Sequence, residues 1–335
     1  MKMSHHPINY QANENSPYGD LTREEFYKQH QIFHRESFML NRENMKVFTQ
    51  TWLPADYSSS RNDHQQQLKG LVAMVHGYTS DSSWLSELTA VAMAKLGFLV
   101  CALDLQGHGQ SDGFPGHIPN IQHIVNDCIQ FFDSVKSQNP NLPSFLYGES
   151  LGGAISILIS LQQKYEWDGL VLNGSMCGIS AKFKPIWPLE KLLPVAALLA
   201  PTWKLVVTKP VASKSYKEEW KRRLVAKNPN RRTSGKPPAA TALEFLRVCK
   251  YIRLQCNELE VPLLILHGGD DVVCDVEAAR FVYESAASKE KTLKIFPGMR
   301  HMLIGESKEN VEVVFGNVFS WIEERATKTK LSNKN

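Results

Sequence analysis

Residues 143 to 153 read Pro143-Ser-Phe-Leu-Tyr-Gly148-Glu-Ser150-Leu-Gly152-Gly153. A short apolar run breaks at Gly-x-Ser-x-Gly and passes into a helical stretch, the sequence form of a sharp strand-to-helix turn. The chemistry explains the glycines. A serine hydroxyl becomes a useful nucleophile only if it projects into open space beside a base. Such a turn strains the backbone at Ser150, and side chains at 148 and 152 would collide with the neighbouring chain. The turn also sets the Leu151 amide at a helix N-terminus, where it can donate to a developing oxyanion. A pentapeptide of this kind recurs by chance, so its weight comes from its flanks.

Outward from the turn, strands and helices alternate. Strand patterns at 71–75, 98–103, 144–147 and 169–172 are separated by helical patterns at 84–96, 121–135 and 151–163. The rhythm resumes with a strand at 262–266, a helix at 276–287, a strand at 292–296 and a helix at 311–325. This alternation predicts an α/β fold with a mostly parallel, doubly wound sheet. Two further strands, 36–41 and 46–54, form a hairpin pattern ahead of it, and 56–67 reads as an exposed loop. Residues 1–30 are polar and predict a loose arm, and 328–335 a polar tail. The core is then 31–175 and 261–327. Between its halves, 176–260 breaks the alternation with Pro185, Pro188, Pro194, Pro201 and Pro210. That is too long for a bare loop, so an inserted helical cap over the carboxyl edge of the sheet is expected.

A chain of 335 residues with 43% hydrophobic and 21% charged residues has enough apolar material for a large core. The net charge of +4 is unevenly spread: Lys214 to Lys236 holds nine Lys or Arg against two Glu. Two readings of this stretch stand, a solvated face and a contact with an anionic membrane surface. No nucleic-acid motif accompanies it, so nucleic acid is not an expected partner. Six cysteines without metal-ligand spacing fit a reducing compartment. The first residues lack the apolar core of a leader, and the greasiest stretch, 192–203, is too short to span a bilayer. The expected location is cytoplasmic, with peripheral contact at intracellular membranes as the finer expectation.

A nucleophilic serine needs a base and an acid to orient that base. In α/β hydrolases the chain order is Ser, then Asp or Glu, then His. The strand at 262–266 runs into His267-Gly-Gly-Asp270-Asp271, and the strand at 292–296 into Pro297-Gly-Met-Arg300-His301. Both turns follow the carboxyl ends of strands, where open α/β sheets bind their ligands. Ser150, an aspartate at 270 or 271, and His301 therefore stand in the required order. A second donor to an oxyanion should come from the loop after 71–75, which reads His76-Gly77-Tyr78. His76-Gly-Tyr-Thr-Ser-Asp81 also fits a His-x4-Asp pattern linked to acyltransferases, although His76 reads better as a brace for that loop. Asp104, His108 and Ser111 are expected to shape the loop beside it. His108 and His117 lack a partner carboxylate at sensible spacing, so neither a metal nor any other cofactor is expected.

Five segments together carry a resemblance: His76-Gly77-Tyr78, Asp104-Leu-Gln-Gly107-His108-Gly109-Gln-Ser111-Asp-Gly113, Gly148-Glu-Ser-Leu-Gly152, His267-Gly-Gly-Asp-Asp271 and Gly298-Met-Arg-His301. The chain resembles the α/β-hydrolase branch that contains monoacylglycerol lipases and plant caffeoylshikimate esterases. The resemblance implies Asp271, not Asp270, as the triad acid, and the Tyr78 and Leu151 backbone amides as the oxyanion hole. It departs at Arg300, a position commonly aromatic in such relatives. It implies hydrolysis of apolar acyl esters, monoacylglycerol or lysophospholipid, through an acyl-enzyme on Ser150. Hydroxycinnamoyl (caffeoylshikimate-type) esters, or acyl transfer to an alcohol, are the alternatives. In the cap, Leu192, Leu199 and Trp187 are the expected substrate-pocket residues or a membrane-facing surface.

Overall fold

In the computed structural model, residues 11–59, 67–182, 189–204, 214–233 and 236–332 are described. Eight strands form one sheet: β1 (Ile32–Leu40), β2 (Lys46–Pro54), β3 (Gly70–Val75), β4 (Phe98–Leu103), β5 (Ser144–Glu149), β6 (Gly169–Asn173), β7 (Leu263–Gly268) and β8 (Lys291–Phe296). Their spatial order is β1-β2-β4-β3-β5-β6-β7-β8. The β1–β2 and β2–β4 pairs are antiparallel, and every later pair is parallel. The five central strands, β3 to β7, are buried at every residue. Helices cover both their faces, which is why they read as continuous apolar runs and not as alternating ones.

The two faces hold separate cores. On one, α4 (Ile121–Ser137), α5 (Leu151–Gln162) and α8 (Ala239–Gln255) contribute Val125, Phe132, Ile155, Leu158 and Ile252. On the other, α3 (Trp84–Lys95) and α10 (Lys308–Ser332) place Leu88, Phe315, Phe319 and Ile322 beside Trp52. α9 (Val276–Ser285) sits between β7 and β8 in the chain, capped by the Asp275 carboxylate accepting from the Glu277 N–H.

Two terminal expectations are corrected. Residues 11–30 are not a loose arm. Thr22 and Glu25 close a capping box on α1 (Arg23–His30), and Phe26 is fully buried in the second core. Arg23 and the Tyr18 hydroxyl both bond the buried Glu87 carboxylate of α3. At the other end the stretch from 328 continues α10 as far as Ser332, with Lys330 Nζ donating to the Leu68 carbonyl. Residues 56–59 of the expected loop belong to a short helix, α2 (Ala55–Ser59).

The described part of the interruption at 176–260 holds the helices α6 (Leu189–Leu199), α7 (Glu219–Ala226) and α8, together with turns. The basic stretch inside it is partly solvated and partly fastened down: Lys214, Lys217, Arg223, Lys227, Arg232 and Lys236 are exposed, whereas Lys221 is buried. Lys221 is 1% exposed, and its ammonium donates to the Ile304 and Glu306 carbonyls, each at 2.8 Å. Arg223 pairs with Glu14 and Glu219, and Arg232 donates to the Ser111 and Gly113 carbonyls. Much of this charge fastens the segment to the rest of the molecule. Among the described residues no helix is long and apolar enough to cross a membrane.

Candidate active site

The site assembles at the carboxyl ends of β3, β5, β6, β7 and β8. Ser150 stands between β5 and α5 with φ 52° and ψ −116°, backbone that an L-residue adopts only when its surroundings impose it. The imposition is visible. A Cβ at residue 148 would lie 2.5 Å from the Gly152 carbonyl oxygen, and one at 152 would lie 2.0 Å from that of Val75. Glycine at both positions lets α5 close against β3 and pushes the Ser150 hydroxyl outward. Leu151 is the first residue of α5, so its N–H has no acceptor within the helix.

His301 lies in the loop after β8, with Nε2 2.9 Å from Ser150 Oγ and Nδ1 2.7 Å from Asp271 Oδ2. An ionised carboxylate only accepts, so Nδ1 carries the imidazole proton and Nε2 is left to accept from the serine hydroxyl. The other oxygen of Asp271 accepts the Val273 and Cys274 N–H groups. Burial alone would push this carboxyl up, but the His301 charge, the hydrogen bond from His301 and the nearby His267 imidazole outweigh it and hold it well below the usual carboxylate range. Asp270 is exposed and meets Met299 only through its backbone N–H. The structure thus brings together Ser150, Asp271 and His301 and leaves Asp270 aside.

Glycines again set the approach. A Cβ at Gly174, which has φ 55°, would come 2.7 Å from the His301 carbonyl oxygen, and one at Gly268 would come 2.3 Å from that of Arg300. Arg300 turns away from the serine, its guanidinium donating to the Tyr216 carbonyl. Asp271, Cys274 and His301 bring ligand-type atoms within 4.8 Å of one another. The Asp271 oxygens and His301 nitrogens are already engaged with one another, with Ser150 and with backbone N–H groups, so the group is a hydrogen-bonded carboxylate–imidazole pair with a buried thiol beside it.

The loop after β3 packs against the serine: a Cβ on Gly77 would lie 3.1 Å from Ser150 Cβ. His76 is fixed at both ring nitrogens, Nε2 accepting the Leu105 N–H and Nδ1 donating to the Gly77 carbonyl. Burial pulls its pKa down to about 4, so it is a neutral brace and not a second base. The Tyr78 hydroxyl donates to the Gly116 carbonyl, so its side chain is tied to the loop that follows β4. Asp104 accepts from Ser82 and Gln110, and Ser111 Oγ donates to the Asp104 carbonyl, as expected of loop-shaping residues.

Two groups escaped the sequence reading. Glu149 is buried, accepts from the Tyr147 hydroxyl, and has its pKa raised by burial. Asn173 Nδ2 donates to the same hydroxyl. The available signal was a carboxylate closing an otherwise apolar strand. Of the expected pocket residues, Leu192 and Leu199 are not brought to Ser150. They face outward at 56% and 78% exposure, because the helical period turns Leu193 inward against Ala239 and Ala242. Trp187 lies outside the described residues.

Comparison with known proteins finds relatives along most of the chain. The family described as serine aminopeptidase, S33, matches residues 66–308. Caffeoylshikimate esterase of Arabidopsis thaliana is 34% identical over 93% of this chain and 92% of its own length. Monoglyceride lipase of Homo sapiens is 28% identical over 86% of this chain and 90% of its own. The crystal structure of a soluble variant of monoglyceride lipase from Saccharomyces cerevisiae, in complex with a substrate analog, superposes with a TM-score of 0.74. It covers 88% of this chain and 95% of that one at 18% identity, a likeness of fold.

Proposed function

The chain belongs to the serine aminopeptidase S33 family of α/β hydrolases and is a serine ester hydrolase, and on that premise we propose that it cleaves monoacylglycerols through an acyl-enzyme on Ser150. The reading rests on the hydrogen-bonded line from Asp271 through His301 to Ser150. In the first half-reaction His301 Nε2 takes the hydroxyl proton as Oγ attacks the ester carbonyl. The tetrahedral oxyanion is met by the Leu151 and Tyr78 N–H groups. His301 then returns the proton to the leaving alcohol. In the second half-reaction water, deprotonated by the same nitrogen, releases the acid and restores the serine. Asp271 keeps the tautomer and balances the imidazolium throughout. The chemistry is complete without a metal or organic cofactor.

The lipid preference is supported by α6. Its outward side carries Leu192, Val195, Leu198 and Leu199 at 53–80% exposure, and Trp203 follows at 65%. An apolar patch of this kind marks an interaction surface. In this reading 176–260 is a cap through which an acyl chain enters, with α6 touching the membrane or micelle that holds the substrate. A second reading, hydroxycinnamoyl ester hydrolysis, is favoured by the 34% identity to the caffeoylshikimate esterase. A panel of monoacylglycerols, lysophospholipids and hydroxycinnamoyl esters, scored by kcat/KM, separates them. The lipid reading expects monoacylglycerol to lead, and a hydroxycinnamoyl ester in first place would replace it. Ser150→Ala should abolish turnover and fluorophosphonate labelling, since loss of the nucleophile costs on the order of 10⁴ to 10⁶ in kcat.

A further inference from the structure

A second imidazole stands on the triad acid. His267, at the end of β7, is 0% exposed, and its Nε2 lies 3.0 Å from Asp271 Oδ2, the oxygen that also receives His301 Nδ1. The contact is bent off the ring N–H axis, and neither His267 nitrogen has an aligned hydrogen-bond partner. A buried polar ring left short of partners calls for an explanation. Packing alone does not supply one, because an apolar side chain would fill the strand end without that cost.

From this geometry we infer that His267 is a positioning residue for Asp271, on the premise that Ser150, His301 and Asp271 form the triad. With its proton on Nε2, His267 sets the positive edge of its ring 3.0 Å from Oδ2, the oxygen that His301 also meets. The Val273 and Cys274 N–H groups hold Oδ1, so backbone bonds fix one carboxylate oxygen while two imidazoles crowd the other and resist its turning away from His301. A donor on Oδ2 also draws off part of the charge that would otherwise favour the His301 imidazolium. His267 thus sets both the orientation of the acid and the basicity of the base.

Other charged and titratable groups surround the pair. Glu149 faces His301 from β5, Cys274 lies beside Asp271, Asp270 is exposed in the turn, and Arg300 precedes His301 with Glu306 on its N–H. They are common to every variant below, so a change in pH profile reports on position 267.

The test compares His267→Leu, which removes the donor, with His267→Gln, which keeps an N–H there. Each is measured for kcat and KM on a soluble ester from pH 4.5 to 9, with melting temperature as a check on folding. For His267→Leu the acid limb of kcat/KM should move to higher pH by roughly half a unit or more, because His301 stays protonated longer beside an unshared charge. Its kcat should fall roughly 10- to 100-fold with KM little changed, the signature of lost orientation. His267→Gln should recover most of both. An unmoved acid limb in His267→Leu, or a Gln variant as impaired as the Leu one, would overturn the inference and leave His267 a packing residue. Fluorophosphonate labelling of the unaltered protein separates the two levels, since failure to label Ser150 removes the triad reading itself.

Discussion

The aspartate pair in the turn after β7 shows how much one residue of register decides. Asp271 is buried and bonded to His301, whereas the Asp270 carboxylate faces solvent. Asp271→Asn should therefore cut kcat by roughly 10⁴, since an amide there favours the wrong imidazole tautomer. Asp270→Asn should stay within a few-fold of the unaltered enzyme, and kcat for both on one soluble ester decides the matter. Sequence alone left these two open, because both occupy the same turn and only a resemblance separated them. His76 supports a different prediction. Its folded-state pKa is depressed by burial to about 4, so the folded chain resists a proton that the unfolded chain takes up near 6.5. Its contribution is full above about pH 6.5 and is lost as pH falls toward about 4. Asp81, raised by burial and by Asp104 to about 7, works in the opposite direction, gaining stability as pH falls, so the wild-type curve is a mixture. The contrast isolates His76: between pH 7 and 4 the melting temperature of His76→Asn should fall less steeply than that of the unaltered protein. Parallel slopes would contradict the assignment.

At the scale of elements, position along the sheet governs what was legible. The central strands were read to within two residues or so because burial on both faces makes them unbroken apolar runs. β1 was read too short, as 36–41 in place of 32–40. It is an edge strand whose pattern of mixed exposure gives little periodic signal. The N-terminal helix was missed although Thr22-x-x-Glu25 is a capping signature, since only Phe26, Tyr27 and His30 of its eight residues are buried. Its weight is testable. Phe26 is 0% exposed in the second core, and Phe26→Ala should cost about 3–5 kcal/mol in chemical denaturation, where a loose arm would show no change. Lys221 escaped notice for a related reason: composition counts charges and does not show what they touch. Lys221 reaches the two carbonyls of the turn that follows His301. Lys221→Gln should thus lower stability by about 1–3 kcal/mol and impair turnover of every ester, soluble or dispersed. A loss confined to dispersed lipid would restore the reading of Lys221 as a surface charge.

For the whole molecule, the proposed lipid reading turns on how an apolar ester would reach a serine at the carboxyl edge of the sheet. Two forces were expected to act together at the cap, apolar contact and attraction between lysines and anionic headgroups. The fold separates them. Lys221 is buried, Arg223 is paired with carboxylates, and Arg232 donates to backbone carbonyls, so part of that charge is engaged within the fold, while Lys214 and Lys236 stay exposed. What faces outward is the apolar side of α6, where Leu198 and Leu199 are 80% and 78% exposed. Burying such side chains contributes roughly 1.5–3 kcal/mol each when transfer is complete, and that gain is not screened by salt as Lys/Arg attraction is. Leu198→Ser with Leu199→Ser should therefore weaken flotation with neutral phosphatidylcholine vesicles and raise KM for dispersed monoacylglycerol. Turnover of a short, water-soluble ester should stay near that of the unaltered enzyme, because the substitutions lie on the outward face and leave Ser150, His301 and Asp271 intact. Vesicle binding of the unaltered protein should survive a rise in salt. Binding that vanishes at high salt, or requires anionic lipid, would return the basic stretch to the membrane and take α6 away from it.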